Sequence, residues 1–501
     1  MPSFKELKRN DVQADDKSSG GTESMNMTLH TTDNNCGKPF LELCGAEKMP
    51  HEISAVEKEN LSAAFRHLSN IANSPIGELV KQNKNQSLFV FPQSFSEHND
   101  EIDKQPIFSM SGSEDDFSNV KITTGNILGF AGCGGTQIEI TSRFADSAVQ
   151  GEDFFLHYML AKVFSLNLFD LKHLSGDGQF DFLIYLFPYF LQKALSQGMF
   201  RTYRFFRRND ANIKGAPDVS RHIKQNVPFA GRIAYNSRER SFDNSITQLV
   251  RHTIEAIKIR PNGRAVLSKN EEIRRSAAQI VQATPIYNAQ DRNKIIAQNA
   301  KPLAHPFFTH WRLLQKVCLA ILHNQKLKYG KTKNQIYGIL FDGAWLWEEY
   351  LATVLKEKDY VHPENKNKSG GFSPFIKSNV GRFYPDFYKP KQSENSKKYV
   401  ADEILDAKYK NFDQKNPQAD DLAQMIAYVH VMDARAGFFI YPSKDKKEIG
   451  NAPWTLKPFA NQTAKIGTRP FFIPQNVKDC IDFKEQMTKS EKGLVDGLDT
   501  K

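Results

Sequence analysis

Three side chains in the C-terminal third have the types and spacing for phosphate chemistry. Asp386 follows Pro385 in the apolar run 382–388, and nineteen residues separate it from Asp406, which ends a second apolar run (399–409) with Lys408 two positions on. Side chains along a strand alternate between faces, so Asp406 and Lys408 point the same way. If the two runs pair as a hairpin, Asp386 meets Asp406 near the end of a sheet. Two converging carboxylates form a hard-oxygen site suited to Mg²⁺. A lysine beside them can orient or deprotonate an attacking water while the metal polarises a phosphate. An isolated Asp-x-Lys arises by chance in most chains of this length; its weight here comes from the preceding Pro-Asp and the strand context.

Two helices complete the constellation. In the segment 420–431, Gln424 and Tyr428 stand four apart on one face, able to lie against the carboxylates or a nucleic-acid backbone. A surface amide and a core aromatic are the plainer readings of the same pair. In the helix expected over 344–355, Glu348 or Glu349 supplies a third carboxylate, or both sit on a solvated face. Upstream, Arg201, Arg204, Arg207 and Arg208 are interleaved with Tyr203, Phe205 and Phe206. Such a stretch either grips phosphates and stacks bases or is an element with one wet, basic face.

The elements that must position these residues form an ordered series. Residues 1–55 are polar and read as a disordered or loosely held arm. Residues 56–146 read as a β-containing domain, with an amphipathic helix over 61–80 and strands near 87–91 and 137–141. Gly132, Gly134 and Gly135 do not make a dinucleotide-binding fingerprint, because Gln137 stands where its third glycine belongs. Residues 147–337 read as mainly helical, with Asn244 as the cap of one helix. Residues 338–483 follow the order α-β-β-α-β, and 484–501 form a polar tail. The fold class expected is therefore a multidomain mixture of α/β and α+β.

The 501 residues carry 67 Lys and Arg against 57 Asp and Glu, for a net charge of +10. That excess favours a polyanionic partner, nucleic acid being the commonest, although many basic proteins bind none. The five cysteines form no Cys-x-x-Cys pair, which argues against a zinc ribbon or a redox motif and for reduced thiols in a cytoplasmic protein. The N-terminus lacks the apolar core of a signal peptide. The longest apolar run, 182–191, contains Pro188 and is half the ~20 residues a membrane span needs.

The sequences Phe383-Tyr384-Pro385-Asp386, Ile404-Leu405-Asp406-Ala407-Lys408-Tyr409-Lys410 and Asp421-Leu422-Ala423-Gln424-Met425-Ile426-Ala427-Tyr428 resemble the motifs of the PD-(D/E)xK nuclease superfamily. More specifically they are similar to McrC-type proteins, the nuclease subunits of McrBC-like restriction systems. Leu346-Trp347-Glu348-Glu349-Tyr350 resembles the helix opening that nuclease domain, and the likeness extends loosely over 125–445. The resemblance implies a restriction-endonuclease-like core over 338–483 that cleaves double-stranded DNA. Asp386 and Asp406 would bind Mg²⁺, Lys408 would serve the water, Gln424 would position it or the backbone, and Glu348 would be a further catalytic carboxylate. From the residues themselves, Tyr428 would touch DNA, and the four arginines would touch DNA or a protein partner. The resemblance also implies a hetero-oligomer with an AAA+ GTPase that recognises and translocates DNA. The chain has no phosphate-cradling loop of its own by this reading, since the fragment Gly330-Lys331-Thr332 lacks the earlier glycine, Gln325 standing in its place. A RecB-like repair nuclease and a non-cleaving DNA-binding or scaffold subunit are the rival readings.

Overall fold

The computed structural model describes residues 27–45, 54–82, 88–92, 101–146, 153–166, 181–260, 263–327, 336–363, 371–375, 381–391, 401–410, 412, 416–446, 453–457 and 463–498. It is a mixed α/β protein with several sheets. The fragment 330–332 lies outside the described residues.

The N-terminal sheet has five strands in the order Met27–Thr32, Thr136–Thr141, Ile127–Cys133, Ile336–Asp342, Leu88–Phe91. The strand Ile336–Asp342, near the expected start of the third unit at 338, therefore completes the first sheet. It runs antiparallel to Ile127–Cys133 and parallel to Leu88–Phe91. Its residues Ile339, Leu340 and Phe341 are buried, as the continuous apolar run of a central strand requires. Gly129 makes this pairing possible: its φ is +114°, and a Cβ there would lie 2.1 Å from the Ile339 carbonyl oxygen. The expected loose arm is in part ordered, since Met27–Thr32 is a parallel edge strand on Thr136–Thr141. The single helix expected over 61–80 is two, Ala55–Ser69 and Ile76–Gln82, separated by Asn73 at φ +60° and by Pro75.

The middle region is helical as expected, but a ribbon interrupts it. Asn244 caps Ser245–Lys258 through the backbone N–H groups of Ile246 and Thr247. Before that helix, Thr202–Asp210 and Ile233–Ser241 pair antiparallel along their whole length.

The C-terminal sheet has the order Phe387–Pro390, Ala401–Ala407, Ala436–Ser443, Lys465–Phe472, Trp454–Thr455. The first two strands form an antiparallel hairpin and the next two add in parallel. With the helices Gly343–Leu355 and Ala419–Val431 this follows the expected order α-β-β-α-β. The expected polar tail is instead most of an 18-residue helix, Cys480–Gly497. Phe483 and Met487 of that helix are buried in the cluster that also holds Phe155, Trp347 and Phe471. Glu491 then accepts hydrogen bonds from the hydroxyls of Tyr158 (3.0 Å) and Tyr350 (2.9 Å), tying the middle region to the C-terminal unit.

Candidate active site

The hairpin register decides the centre. Phe387 stands opposite Leu405, which sets Asp386 across from Asp406 at the end of the paired segment. Asp386 Oδ2 accepts the Ala407 N–H at 2.8 Å. Asp406 is 2 % exposed, and its Oδ2 lies 2.8 Å from Lys408 Nζ, an ion pair without hydrogen-bond alignment. Both strands are anchored beneath by Phe387 and Leu405, buried in the large cluster, and by Ile404 in the cluster under the following helix.

The helix Ala419–Val431 supplies the next layer. Lys408 Nζ donates to Gln424 Oε1 at 3.1 Å, Gln424 Nε2 donates to the Tyr428 hydroxyl at 2.7 Å, and that hydroxyl donates to the Tyr384 carbonyl at 3.1 Å. The relay ends on the backbone two residues before Asp386. Tyr428, expected to touch DNA, is a core aromatic at 5 % exposure beside Phe383. Its ring is packed and its hydroxyl is spent on holding Gln424. Asp421, not singled out from the sequence, sits on the same helix, 3.5 Å from Lys408 Nζ and 3.0 Å from Lys410 Nζ. Its place one turn before Gln424 was the available signal.

The helix Gly343–Leu355 gives its two glutamates different surroundings. Glu349 accepts the indole N–H of Trp345 at 3.1 Å, whereas Glu348 is the one whose charge reaches Asp386. His362 lies between them: Nδ1 is 2.7 Å from the Asp386 carbonyl, Nε2 is 3.8 Å from Glu348 Oε1, and the ring stacks on Phe387 at 4.8 Å. A carbonyl only accepts, so Nδ1 carries a proton. Its position at the edge of a Lys/Asn/Gly-rich loop hid His362 in the sequence.

Burial raises Asp386 well above the usual carboxylate range, and the charges of Asp406 and Glu348 push it further. Burial also raises Asp406, with Lys408 opposing. For Lys408, burial pulls the pKa down, but Asp406, Asp386 and Asp421 outweigh it and the net shift is upward. The lysine is thus a fixed ammonium in the metal-free protein. The donor set of two touching carboxylates, one with a buried oxygen lacking an aligned hydrogen bond, fits a hard divalent cation. Among the described residues no group of three or more His, Cys, Asp or Glu side chains converges as a ready-made metal cluster; Glu348 belongs to the rim.

The four arginines of the basic stretch divide between the faces of the ribbon. Arg204 donates to the Asp243 carbonyl at 2.8 Å, and Arg208 makes a two-point contact with Glu239 at 3.0 and 2.9 Å. Both are held on the inner, half-buried side by these acceptors, so they do not join the outward face. Arg207 points outward with Tyr203 and Phe205, while Arg201 lies exposed near the Phe242 ring. Arg238 and Arg240, about thirty residues on, cover Tyr203 at 4.5 and 5.3 Å and complete that face. Only the strand register brings them there.

The molecule is thus of a class that places a carboxylate–lysine centre at the edge of a mixed α/β sheet. The family model of the McrBC 5-methylcytosine restriction system component matches residues 122–442, more than half of the chain, and the chain belongs to that family. No curated protein matches it. Among solved structures, a half-complex of Thermococcus gammatolerans McrB AAA+ hexamers with bound McrC is similar at 17 % identity, covering 92 % of this chain and 99 % of that one, with a TM-score of 0.44. The Thermococcus gammatolerans McrBC complex is similar at 18 % identity, covering 66 % and 87 %, with a TM-score of 0.28. Both TM-scores are too low to define a shared fold. Among the described residues no helix is long and apolar enough to cross a membrane.

Proposed function

We propose that this chain is the Mg²⁺-dependent endonuclease subunit of a restriction system, with a PD-(D/E)xK core, cutting double-stranded DNA in the cytoplasm. The observation that carries the reading is the contact of Asp386, Asp406 and Lys408 at one sheet edge, with Gln424 bonded to the lysine. Asp386 and Asp406 would hold the metal, which when bound supplies Lewis-acid polarisation of the phosphodiester and an activated water. Lys408 is held as an ammonium by its three acidic neighbours and would stabilise charge gathering on the phosphate. Gln424 fixes the direction of that ammonium, and the Tyr428 hydroxyl fixes Gln424. Family membership supports assignment to a restriction system. The resemblance of the motifs to McrC-type proteins supports a hetero-oligomer with an AAA+ GTPase that brings DNA to this site.

The test is cleavage of plasmid DNA by the purified chain, with and without an AAA+ GTPase subunit from the same host. Asp386→Ala, Asp406→Ala and Lys408→Ala should each lower the rate by a factor on the order of 10²–10³ or more while circular dichroism is unchanged. Full activity in a folded Asp406→Ala protein would end the assignment. Vigorous cutting by the isolated chain without nucleotide would favour a free-standing nuclease.

A further inference from the structure

A second polar site lies in the helical region. The end of the helix Ser245–Lys258, the short helix Gly263–Ser268 and the turn before Arg292–Gln298 enclose an open-mouthed cavity of about 870 Å³. Arg251, Lys258, Arg260, Arg264 and Arg292 line it, against Glu255 as its single carboxylate among the described residues. Glu255 pairs with Arg251 at 3.0 Å and with Lys258 at 2.9 Å, so the one carboxylate of the lining is shared between two of its five cations.

The sequence folds to concentrate that charge. Gly263 begins its helix against the end of the preceding one: a Cβ there would lie 1.8 Å from the Ile257 carbonyl oxygen, so no other residue permits this approach. The close return sets Arg264 in the same lining as Lys258 and Arg260. The Arg251 guanidinium lies 4.8 Å from the ring centre of Tyr287, and its Nε is buried without an aligned hydrogen bond despite the nearby Glu255. His252 packs behind Tyr287 and is not itself part of the lining. It is fully buried, its ring is 4.7 Å from that of Tyr287, and neither ring nitrogen has a hydrogen-bond partner among the described residues. Buried polar groups left in this condition mark a place where a ligand or ordered solvent belongs.

We propose that this cavity binds a small polyphosphate, the phosphate chain of a nucleoside triphosphate being the class it fits. Guanidinium groups match phosphate oxygens two at a time, and four of the five cations are arginines. The volume falls in the range of about 300–1,000 Å³ that holds small molecules. A DNA duplex carries its phosphates on a convex surface and offers a concave cleft at most its outermost groups, whereas a phosphate chain enters. The site is separate from Asp386 and Lys408 in residues and in chemistry: it has no carboxylate pair for a metal, and it is a binding site, not a second centre of hydrolysis.

The test is titration calorimetry on the full chain in EDTA, so that metal at the carboxylate pair plays no part. Inorganic tripolyphosphate, ATP and GTP are the probes. Saturable binding of tripolyphosphate and of at least one nucleotide is expected, weakened about tenfold by each of Arg264→Glu and Arg292→Glu. Arg264 is exposed, so its reversal should leave circular dichroism and Tm unchanged. Binding untouched by both reversals would overturn the proposal, as would no binding of any probe at millimolar concentration. Displacement of bound tripolyphosphate by a short DNA duplex would overturn it too, by making the DNA backbone the phosphate source.

Discussion

Asp386 can ionise only beside Asp406 and Glu348 and away from bulk water, so the metal-free site retains a proton that an ordinary carboxyl would have lost. On the proposed reading, a divalent cation held by this pair would displace that proton. Mg²⁺ affinity should therefore rise with pH up to the raised pKa and level off above it. Calorimetry in two buffers of different ionisation enthalpy should register the release; affinity that does not change as pH rises above the ordinary carboxylate range would contradict it. The same shift has a sign for stability. A folded pKa above the unfolded one makes the metal-free protein lose stability as pH rises from the ordinary carboxylate value toward the raised one. Asp386→Asn removes the cost, so it should abolish cutting yet stabilise the metal-free protein by about 0.5–2 kcal/mol above that window, read as Tm in EDTA. At this scale the sequence was most legible where chemistry is local: Pro385-Asp386 and Asp406-Ala407-Lys408 needed only a hairpin to meet. The different surroundings of Glu348 and Glu349 turn on a helix rotation set by Trp345 and Trp347, which pack against Phe164 and the Ile440 carbonyl from distant parts of the chain.

The helix Ala419–Val431 reaches Lys408 through Gln424 and Asp421, and a single hydroxyl, that of Tyr428, braces Gln424. Tyr428→Phe keeps the ring in its cluster but cuts the link from Gln424 to the Tyr384 carbonyl. Stability should fall by about 1 kcal/mol, and the rate by roughly 10–100-fold, as when other supporting shells are disturbed. An unchanged rate with an unchanged Tm would show that Gln424 needs no brace. Four-residue spacing made the Gln424–Tyr428 pair visible in the sequence, but periodicity cannot say which of two neighbours faces the core. The basic ribbon teaches the same lesson in β form. Eight consecutive residues showed four arginines, yet alternation sends Arg204 and Arg208 to one face and Arg207 to the other, and Arg238 and Arg240 arrive only by register.

Across the whole molecule, the last helix is the clasp. Phe483, Met487 and Leu494 recur at helical spacing, so the signal lay in the sequence, masked by a lysine- and glutamate-rich background. Glu491→Ala leaves the hydroxyls of Tyr158 and Tyr350 without their acceptor and should cost about 1–3 kcal/mol. Met487→Ala, at a fully buried position, should cost about 2–5 kcal/mol. Denaturant unfolding should show both as a lower midpoint, with nuclease activity below the midpoint retained. Equal stability of Met487→Ala and the parent would mean the helix is peripheral. The domain borders were hard to place because this clasp and the strand Ile336–Asp342 both join segments far apart in the chain, and composition shifts report neither.

That strand sets a schedule for the nascent chain. The neighbours it must separate, Ile127–Cys133 and Leu88–Phe91, leave the ribosome roughly 200 and 250 residues before it does. At about 5–20 residues per second they wait roughly 10–50 s with facing edges open. Unpaired edges of that kind recruit other chains. Slow synthesis between the two halves of the sheet therefore lengthens an exposure that the finished protein no longer displays, and co-expression of extra holdase chaperone should raise soluble yield more than any change at the active site.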